Sequence, residues 1–174
     1  MNTMVEWILR VTGTGVLATL VFDLWLLLLN RWGVPTMNFA LLGRWIAHMR
    51  HGRFVHERIA AAPSATFESV VGWVAHYAIG VLFAANALAV LGQSWFEAPS
   101  FGGALIVGAA SVAAPWFILQ PAFGAGIASW NTPTPLRNSI RSLANHLVFA
   151  GAFISSGAGL YAGALAMRPL FASG

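Results

Sequence analysis

The chain of 174 residues is 58% hydrophobic and only 8% charged, with a mean hydropathy of +0.73, whereas a soluble domain carries about a quarter charged residues. This composition predicts one integral membrane domain over residues 1–174, without room for a separate soluble enzyme domain. Cysteine is absent, which excludes disulfides, thiolate metal sites and cysteine nucleophiles. The net charge of +4 comes from arginine and indicates topology and contact with anionic lipid; no motif indicates a nucleic-acid partner.

The first apolar run covers about residues 5–31 and contains Asp23. It is longer and richer in Leu and Trp than the core of a signal peptide, so we expect a retained span. The long connection that follows, residues 32–65, carries Asn38 as a candidate N-cap. Apolar residues then recur at helical spacing: Phe39, Leu42, Ile46 and Met49. This pattern predicts an amphipathic helix that lies in the membrane interface.

Three further apolar runs follow, at about residues 67–91, 103–121 and 136–167. Pro115 lies inside the second of these runs and cannot donate a backbone hydrogen bond, so we expect a kink there. Thr134 followed by Pro135 fits an N-cap and a first helical position. The predicted fold is therefore an all-α bundle of four transmembrane helices with an interfacial amphipathic helix in the first loop.

The arginines are concentrated on one side of such a bundle. Seven of the nine arginines lie in or next to the first loop and the loop before the fourth span: Arg31, Arg44, Arg50, Arg53, Arg58, Arg137 and Arg141. Arg10 and Arg168 lie on the other side. The positive-inside rule therefore places both loops in the cytoplasm and both termini outside.

The two halves of the chain resemble each other. Each half has a small-residue helix that ends in a Trp-containing segment, then an arginine-bearing loop, and then a helix with a histidine about three turns in. This pattern suggests a two-span internal repeat whose units insert in the same direction. A chance likeness between apolar helices is the alternative.

Polar residues interrupt the apolar runs at similar depths. At about 1.5 Å per residue, Asp23, His76 and His146 lie roughly 12–16 Å inside their spans, and Gln120 and Asn145 lie near the same layer. An ionised carboxylate in hydrocarbon costs about 2.5–3.5 kcal/mol on the mildest insertion scale, so we expect Asp23 to face the bundle interior. His76 and His146 are its candidate partners.

Several functions fit these residues. The leading hypothesis is a site that binds or relays a proton, ion or small ligand, with Asp23 as the charge partner and the histidines as the titrating or coordinating groups. The second is an accessory or assembly subunit of a larger membrane complex, in which the polar residues only pin the helices. The third is a haem or metal centre held by His76 and His146, with Asp23 as a further ligand. An intramembrane enzyme is a further alternative, but no nucleophile and base pair stands out, and no catalytic residue is assigned.

Small residues recur at every fourth position on two of the spans, and we expect these ridges to pack against other helices. The ridge around His76 contains Gly72 and Gly80. The ridge of the fourth span contains Gly151, Ser155, Gly159 and Gly163. Such ridges could dock other membrane subunits or a second copy of the chain.

Three more histidines, His48, His51 and His56, lie in the first loop in the run HMRHGRFVH. An HxxH pair can meet a metal ion on one helix face, but no thiol is present and only Glu57 is adjacent as a carboxylate. We therefore interpret this run as part of a basic interfacial helix.

Five runs along the chain are distinctive together: ATLVFDLW, NFALLGRWIAHMRHGRFVHERIAAAP, GWVAHYAIG, QPAFGAGIAS and RSLANHLVF. They resemble an uncharacterised family of small bacterial membrane proteins, domain of unknown function number 2938. The resemblance covers nearly the whole chain and includes both histidine spans. It implies a multi-pass protein of the bacterial inner membrane, with both termini in the periplasm under the arginine distribution. It implies no activity, substrate or cofactor.

Overall fold

The computed structural model describes residues 3–171, with side chains described for residues 4–96 and 98–159. Over this range the chain is helical and contains no β-strand. The α-helices in chain order are α1 (Thr3–Arg31), α2 (Phe39–Met49), α3 (Glu68–Leu91), α4 (Gln93–Glu97), α5 (Phe101–Ser111), α6 (Gln120–Phe123) and α7 (Pro135–Phe171). Single 3₁₀ turns form at Ile59–Ala61 and Ile127–Ser129.

Three stretches are helices long and apolar enough to cross a membrane. They are Met4–Arg31, Glu68–Leu91 and Phe101–Phe123. Their mean hydropathies of 1.8, 1.9 and 1.8 are high because few charged residues interrupt them. Their outer surfaces expose large apolar side chains, as expected where lipid rather than water is the solvent.

Local signals in the sequence set several helix ends. Asn38 is the N-cap of α2, because its Oδ1 accepts a hydrogen bond of 3.0 Å from the Ala40 N–H. α7 begins at Pro135, where a missing N–H has no cost. The Asn38 cap and the helix start at Pro135 are therefore confirmed. α7 extends over 37 residues, but Gly163 lies outside the residues with described side chains.

The interruption expected at Pro115 is present. α5 ends at Ser111, and Pro115–Leu119 forms one π-helical turn before α6 begins at Gln120. The Gln120 N–H donates to the Pro115 carbonyl, five residues back. This wider turn keeps the backbone groups around the proline paired with each other, which a helix in an apolar setting requires.

α2 packs lengthwise along the first two turns of α3. A Cβ added to Gly43 of α2 would overlap the carbonyl oxygen of Glu68, and a Cβ added to Gly72 of α3 would overlap the carbonyl oxygen of Phe39. Along α2, Gly43 comes four residues after Phe39, whereas along α3 its neighbour Glu68 comes four residues before Gly72. The two helices therefore run antiparallel. The helix predicted to lie on the membrane interface therefore buries its apolar face against protein, and its N-terminus reaches two turns along α3.

α1 is the central helix, because it packs against both α3 and α7. Against α3 the fit is again tight: a Cβ added to Gly15 would lie 2.6 Å from Val81 Cα, and one added to Gly80 would overlap Thr19. Against α7 the contact is built from apolar side chains, including Val11, Ala18, Phe149 and Phe153. α5 joins the bundle through α7, where Gly108 faces Ala150.

We expect Gly43→Ala to destabilise the protein by about 1–3 kcal/mol, because the added methyl group must separate α2 from α3. Unfolding in detergent micelles, followed by tryptophan fluorescence, measures the change. Gly102→Ala is the matched control, since nothing lies within 4 Å of the added Cβ, and it should leave stability unchanged or slightly higher. Equal effects of the two substitutions would contradict the close packing.

Candidate functional site

Asp23 of α1 meets His76 and Tyr77 of α3. The Asp23 Oδ1 is 2.8 Å from His76 Nε2, and Tyr77 donates its hydroxyl hydrogen to Asp23 Oδ2 at 2.9 Å. The pairing follows from the contact between Thr19 and Gly80, because Asp23 and His76 are each one helical turn further along antiparallel helices. The side chains of His76 and Asp23 are 13% and 14% exposed, so the pair is largely removed from solvent.

Aromatic rings surround the His76 imidazole. Phe39, the first residue of α2, stacks on it with a centroid distance of 3.9 Å and an interplanar angle of 23°. Trp73 approaches edge-on at 5.9 Å, and Phe22 lies at 6.0 Å. These rings exclude water from the pair, and a charged or hydrogen-bonded pair is stronger where the local dielectric constant is low.

The hydrogen positions in this cluster follow from its chemistry. An ionised carboxylate can only accept hydrogen bonds, so with Asp23 ionised, His76 carries a hydrogen on Nε2 and Tyr77 keeps its own. One further proton can be added to the imidazole or to the carboxylate without breaking the His76–Asp23 hydrogen bond. The cluster is therefore able to hold one further proton with little movement of its side chains.

His146 lies apart from this cluster and has a different partner. Its Nδ1 is 2.8 Å from the Ser111 Oγ of α5, and the Ser111 hydroxyl donates to the Gly108 carbonyl at 2.8 Å. Since the hydroxyl has one hydrogen, His146 Nδ1 donates to Ser111. Phe22 contacts both imidazoles, with centroid distances of 6.0 Å to His76 and 6.4 Å to His146. The structure thus joins Asp23 to His76 and not to His146.

The two other predicted polar residues serve different contacts. Asn145 Oδ1 accepts a hydrogen bond of 3.0 Å from Trp25 Nε1 and so ties α7 to α1. Gln120 Oε1 accepts a hydrogen bond of 3.1 Å from Ser129 in the loop that precedes α7. Neither side chain is hydrogen-bonded to Asp23, and both have partners that fix neighbouring elements.

The predicted small-residue ridges divide into two kinds. Gly72 and Gly80 face α2 and α1 and are used inside the chain. Gly151 and Gly159 of α7 have nothing within 4 Å of an added Cβ. Ser155 is exposed, and its hydroxyl donates a hydrogen bond to the Gly151 carbonyl. Within the described residues, the α7 ridge therefore has an open face.

Sequence reasoning missed Tyr77 and the ion pair between Arg44 and Glu68. Tyr77 is one of only two tyrosines and directly follows His76, which is the signal that could have identified it. Arg44 binds Glu68 through two parallel hydrogen bonds, Nε to Oε2 at 2.8 Å and Nη2 to Oε1 at 2.7 Å. The pairing with Glu68 raises the pKa of Arg44, although burial opposes this. The pair fixes α2 on α3, since such bidentate pairs are strong and directional.

The same guanidinium also organises the first loop. Arg44 Nη1 donates to three backbone carbonyls between α2 and α3: those of Ile59, Ala60 and Ala62. Glu68 in turn accepts from the Ala65 N–H at 2.9 Å, so the carboxylate closes the turn that leads into α3. One ion pair therefore holds α2, the loop and α3 together.

The described side chains contain no group of three or more His, Asp or Glu residues placed to hold a metal ion. His76 and His146 each use one ring nitrogen in a hydrogen bond to a protein side chain. The haem or metal hypothesis stays a prediction from the sequence, and no residue geometry in the described part of the chain adds to it.

The fold defines the chain as a helical protein with three helices of membrane-spanning length and composition, compatible with a membrane protein. The model of a family described as "Protein of unknown function (DUF2938)" matches residues 12–167. The chain belongs to this family, which confirms the resemblance in the five sequence runs. No curated protein and no solved structure matches the chain.

Proposed function

We propose that the chain is a four-span protein of the bacterial inner membrane in which Asp23, His76 and Tyr77 bind or relay a proton. The observation that carries this proposal is the hydrogen bond of 2.8 Å between His76 Nε2 and Asp23 Oδ1, inside a shell of aromatic rings. Ionisable residues within membrane spans are costly, so those that occur usually serve a function and face a partner.

A proton fits this site better than a larger ligand. Both carboxylate oxygens of Asp23 already accept hydrogen bonds, and Phe39 lies directly on the imidazole face. A metal ion or organic cation would have to displace these neighbours. A proton needs no additional space, and it changes the charge of the pair by one unit.

The proton site is tested by infrared difference spectroscopy of the protein in lipid vesicles, recorded between alkaline and acidic pH. We expect one carboxyl and one imidazole band in the wild type that are missing after Asp23→Asn, because the amide cannot take up a proton, whereas the bands of the other titratable side chains should remain. His146→Gln is the matched control and should keep the bands, since His146 bonds Ser111. A difference spectrum that is identical in the wild type and in Asp23→Asn would contradict the proposal.

The proposed topology places α1, α3, the helix from Phe101 to Phe123 and α7 across the membrane, with both termini in the periplasm. The arginine-rich loops support this orientation, because positive charge is retained on the cytoplasmic side. α7, at 37 residues, exceeds the roughly 20 residues that a span needs.

The orientation predicts opposite labelling of two single cysteines, which is a clean experiment because the chain has no cysteine of its own. In intact cells, a membrane-impermeant thiol reagent should label Ser94→Cys in α4 and spare His51→Cys in the first loop. Both positions are exposed. The reverse pattern would invert the topology and leave the proton site untouched.

The histidine contacts support a two-span internal repeat. In each half, the histidine of the second long helix bonds a side chain of the first: His76 bonds Asp23, and His146 bonds Ser111. We infer that the two halves share an ancestral helix pair in which only the first kept, or acquired, a carboxylate.

A carboxylate introduced beside His146 by Ser111→Asp should create a second acid-sensitive infrared signal; the absence of this signal would speak against equivalent sites.

A second candidate function is an accessory or assembly subunit, and the open ridge of α7 favours it. Ser155 is exposed, and Gly151 and Gly159 meet nothing within 4 Å. Small residues let helix backbones approach closely, so this face could receive a helix of another membrane subunit or of a second copy.

We expect Gly159→Leu to shift the particle to a smaller size in mild-detergent extracts if α7 docks a partner. Gly102→Leu is the control, because Gly102 is also surrounded by open space but lies outside the ridge. His76→Gln should not change the particle size. An unchanged size for Gly159→Leu would remove the assembly hypothesis and leave the proton site as the remaining candidate.

A further inference from the structure

The first loop returns to the bundle at residues 53–58, and α2 and α6 hold it there. Trp45 Nε1 donates to the Phe54 carbonyl at 2.8 Å, and the His56 N–H donates to the Ala122 carbonyl at 2.9 Å. Gly124 has φ +92° and lies so close to the segment that a Cβ would overlap the Glu57 carbonyl oxygen. The segment is therefore pressed against the turn that ends α6.

Two histidines close this contact on the side of α2. His48 Nδ1 lies 2.9 Å from His56 Nε2, and their ring centroids are 5.1 Å apart. His56 is only 4% exposed. Facing ring nitrogens attract each other through a single shared hydrogen, which requires that at least one of the two rings is neutral. Two protonated rings would place two N–H groups and two positive charges against each other.

We propose that His48 and His56 form a proton-sensitive clasp, which holds residues 53–58 on α2 until both rings are protonated and then releases them. The clasp lies between α2 and the first loop and shares no side chain with the Asp23–His76 pair of α1 and α3. Gly52, with φ +73° and nothing within 4 Å of an added Cβ, joins α2 to the segment and lets the segment move while α2 stays in place.

The charged groups around the pair set the direction of the effect. Glu68 of α3 interacts with His48 but is already paired with Arg44, and Arg53 of the segment itself interacts with His56. Ala122, the contact from α6, contributes a carbonyl and no titratable group. A proton on His56 would therefore place its charge beside Arg53 and against the facing His48 ring, while the nearby Glu68 is already paired with Arg44.

Burial lowers the pKa of His56 below its ordinary value of 6.5, the Ala122 carbonyl opposes this, and the charges of His48 and Arg53 add to the lowering. A histidine whose pKa is lower in the folded contact than when released favours the released state as protons are added. The contact is thus fully stable above pH 6.5 and weakens as the pH falls below that value.

The test uses a nitroxide spin label on Val55→Cys, which is a unique thiol because the chain has no cysteine. Val55 is 70% exposed and precedes His56, so the label reports the segment without occupying the contact. We expect an immobilised spectrum at pH 8 and a mobile one at pH 5 for the full chain in lipid nanodiscs. His51→Gln should keep this transition, because His51 contacts Arg50 outside the pair.

His56→Gln and His48→Gln should each remove most of the change in mobility between pH 8 and pH 5, because a glutamine cannot be protonated and its amide can still bond the remaining ring. A wild-type label with equal mobility at both pH values would overturn the clasp, and so would a transition that persists in both variants. If both variants are mobile at every pH, the ¹⁵N resonances of wild-type His48 and His56 decide: they must titrate together with the mobility change, or the clasp is wrong.

Discussion

The contact between the backbones of α2 and α3 is the constraint on which the candidate site depends. Helices usually pack with their axes about 8–10 Å apart, a distance set by side chains. Gly43 and Gly72 have none, so carbonyl oxygens of each helix occupy the space where a Cβ would be. This approach places Phe39 on the His76 ring and Arg44 within reach of Glu68. A wider spacing would separate both pairs.

The two buried histidines show how the partner decides what an imidazole can do. His76 faces the Asp23 carboxylate, which accepts a hydrogen bond from its ring. His146 faces a serine that already donates to a backbone carbonyl, and this arrangement is complete with the ring neutral. The first pair joins a carboxyl group to an imidazole across α1 and α3, whereas the second pins α5 to α7. The sequence predicts similar membrane depths for the two histidines, so depth alone did not distinguish their roles.

Much of the helical architecture could be predicted because it follows from local signals. Asn38, Pro115 and Pro135 act on the backbone within one turn of their own position, so the helix starts and the interruption they cause can be predicted without tertiary structure. The burial of α2 against α3 could not be predicted in this way. An amphipathic pattern fits a lipid surface and a protein groove equally well, and the distinction rests on Gly43 and Gly72, which lie 29 positions apart in the chain.

The candidate site was only partly predictable for the same reason. Asp23 was expected to need an intramembrane partner, but α1 packs against both α3 and α7, so both histidines were available by depth. Which histidine pairs with Asp23 depends on the register between α1 and α3, which the close contacts of Gly15, Thr19 and Gly80 set. One helical turn beyond these contacts, the same register places Asp23 beside His76. Tyr77 then reaches the second oxygen because it is the neighbour of His76.

The π-helical turn at Pro115–Leu119 has a consequence for how the third long helix is compared with other sequences. A π turn contains one residue more than an α turn, so every side chain beyond it is rotated by about 100° relative to an uninterrupted helix. Gln120, beyond the turn, therefore lies about 100° from the direction it would take if the helix that carries Gly108 and Ser111 toward α7 continued without a π turn. A relative with one residue fewer in this turn would keep both sides of the turn in place with a regular α-helix, and a gap of one position would mark the turn in an alignment.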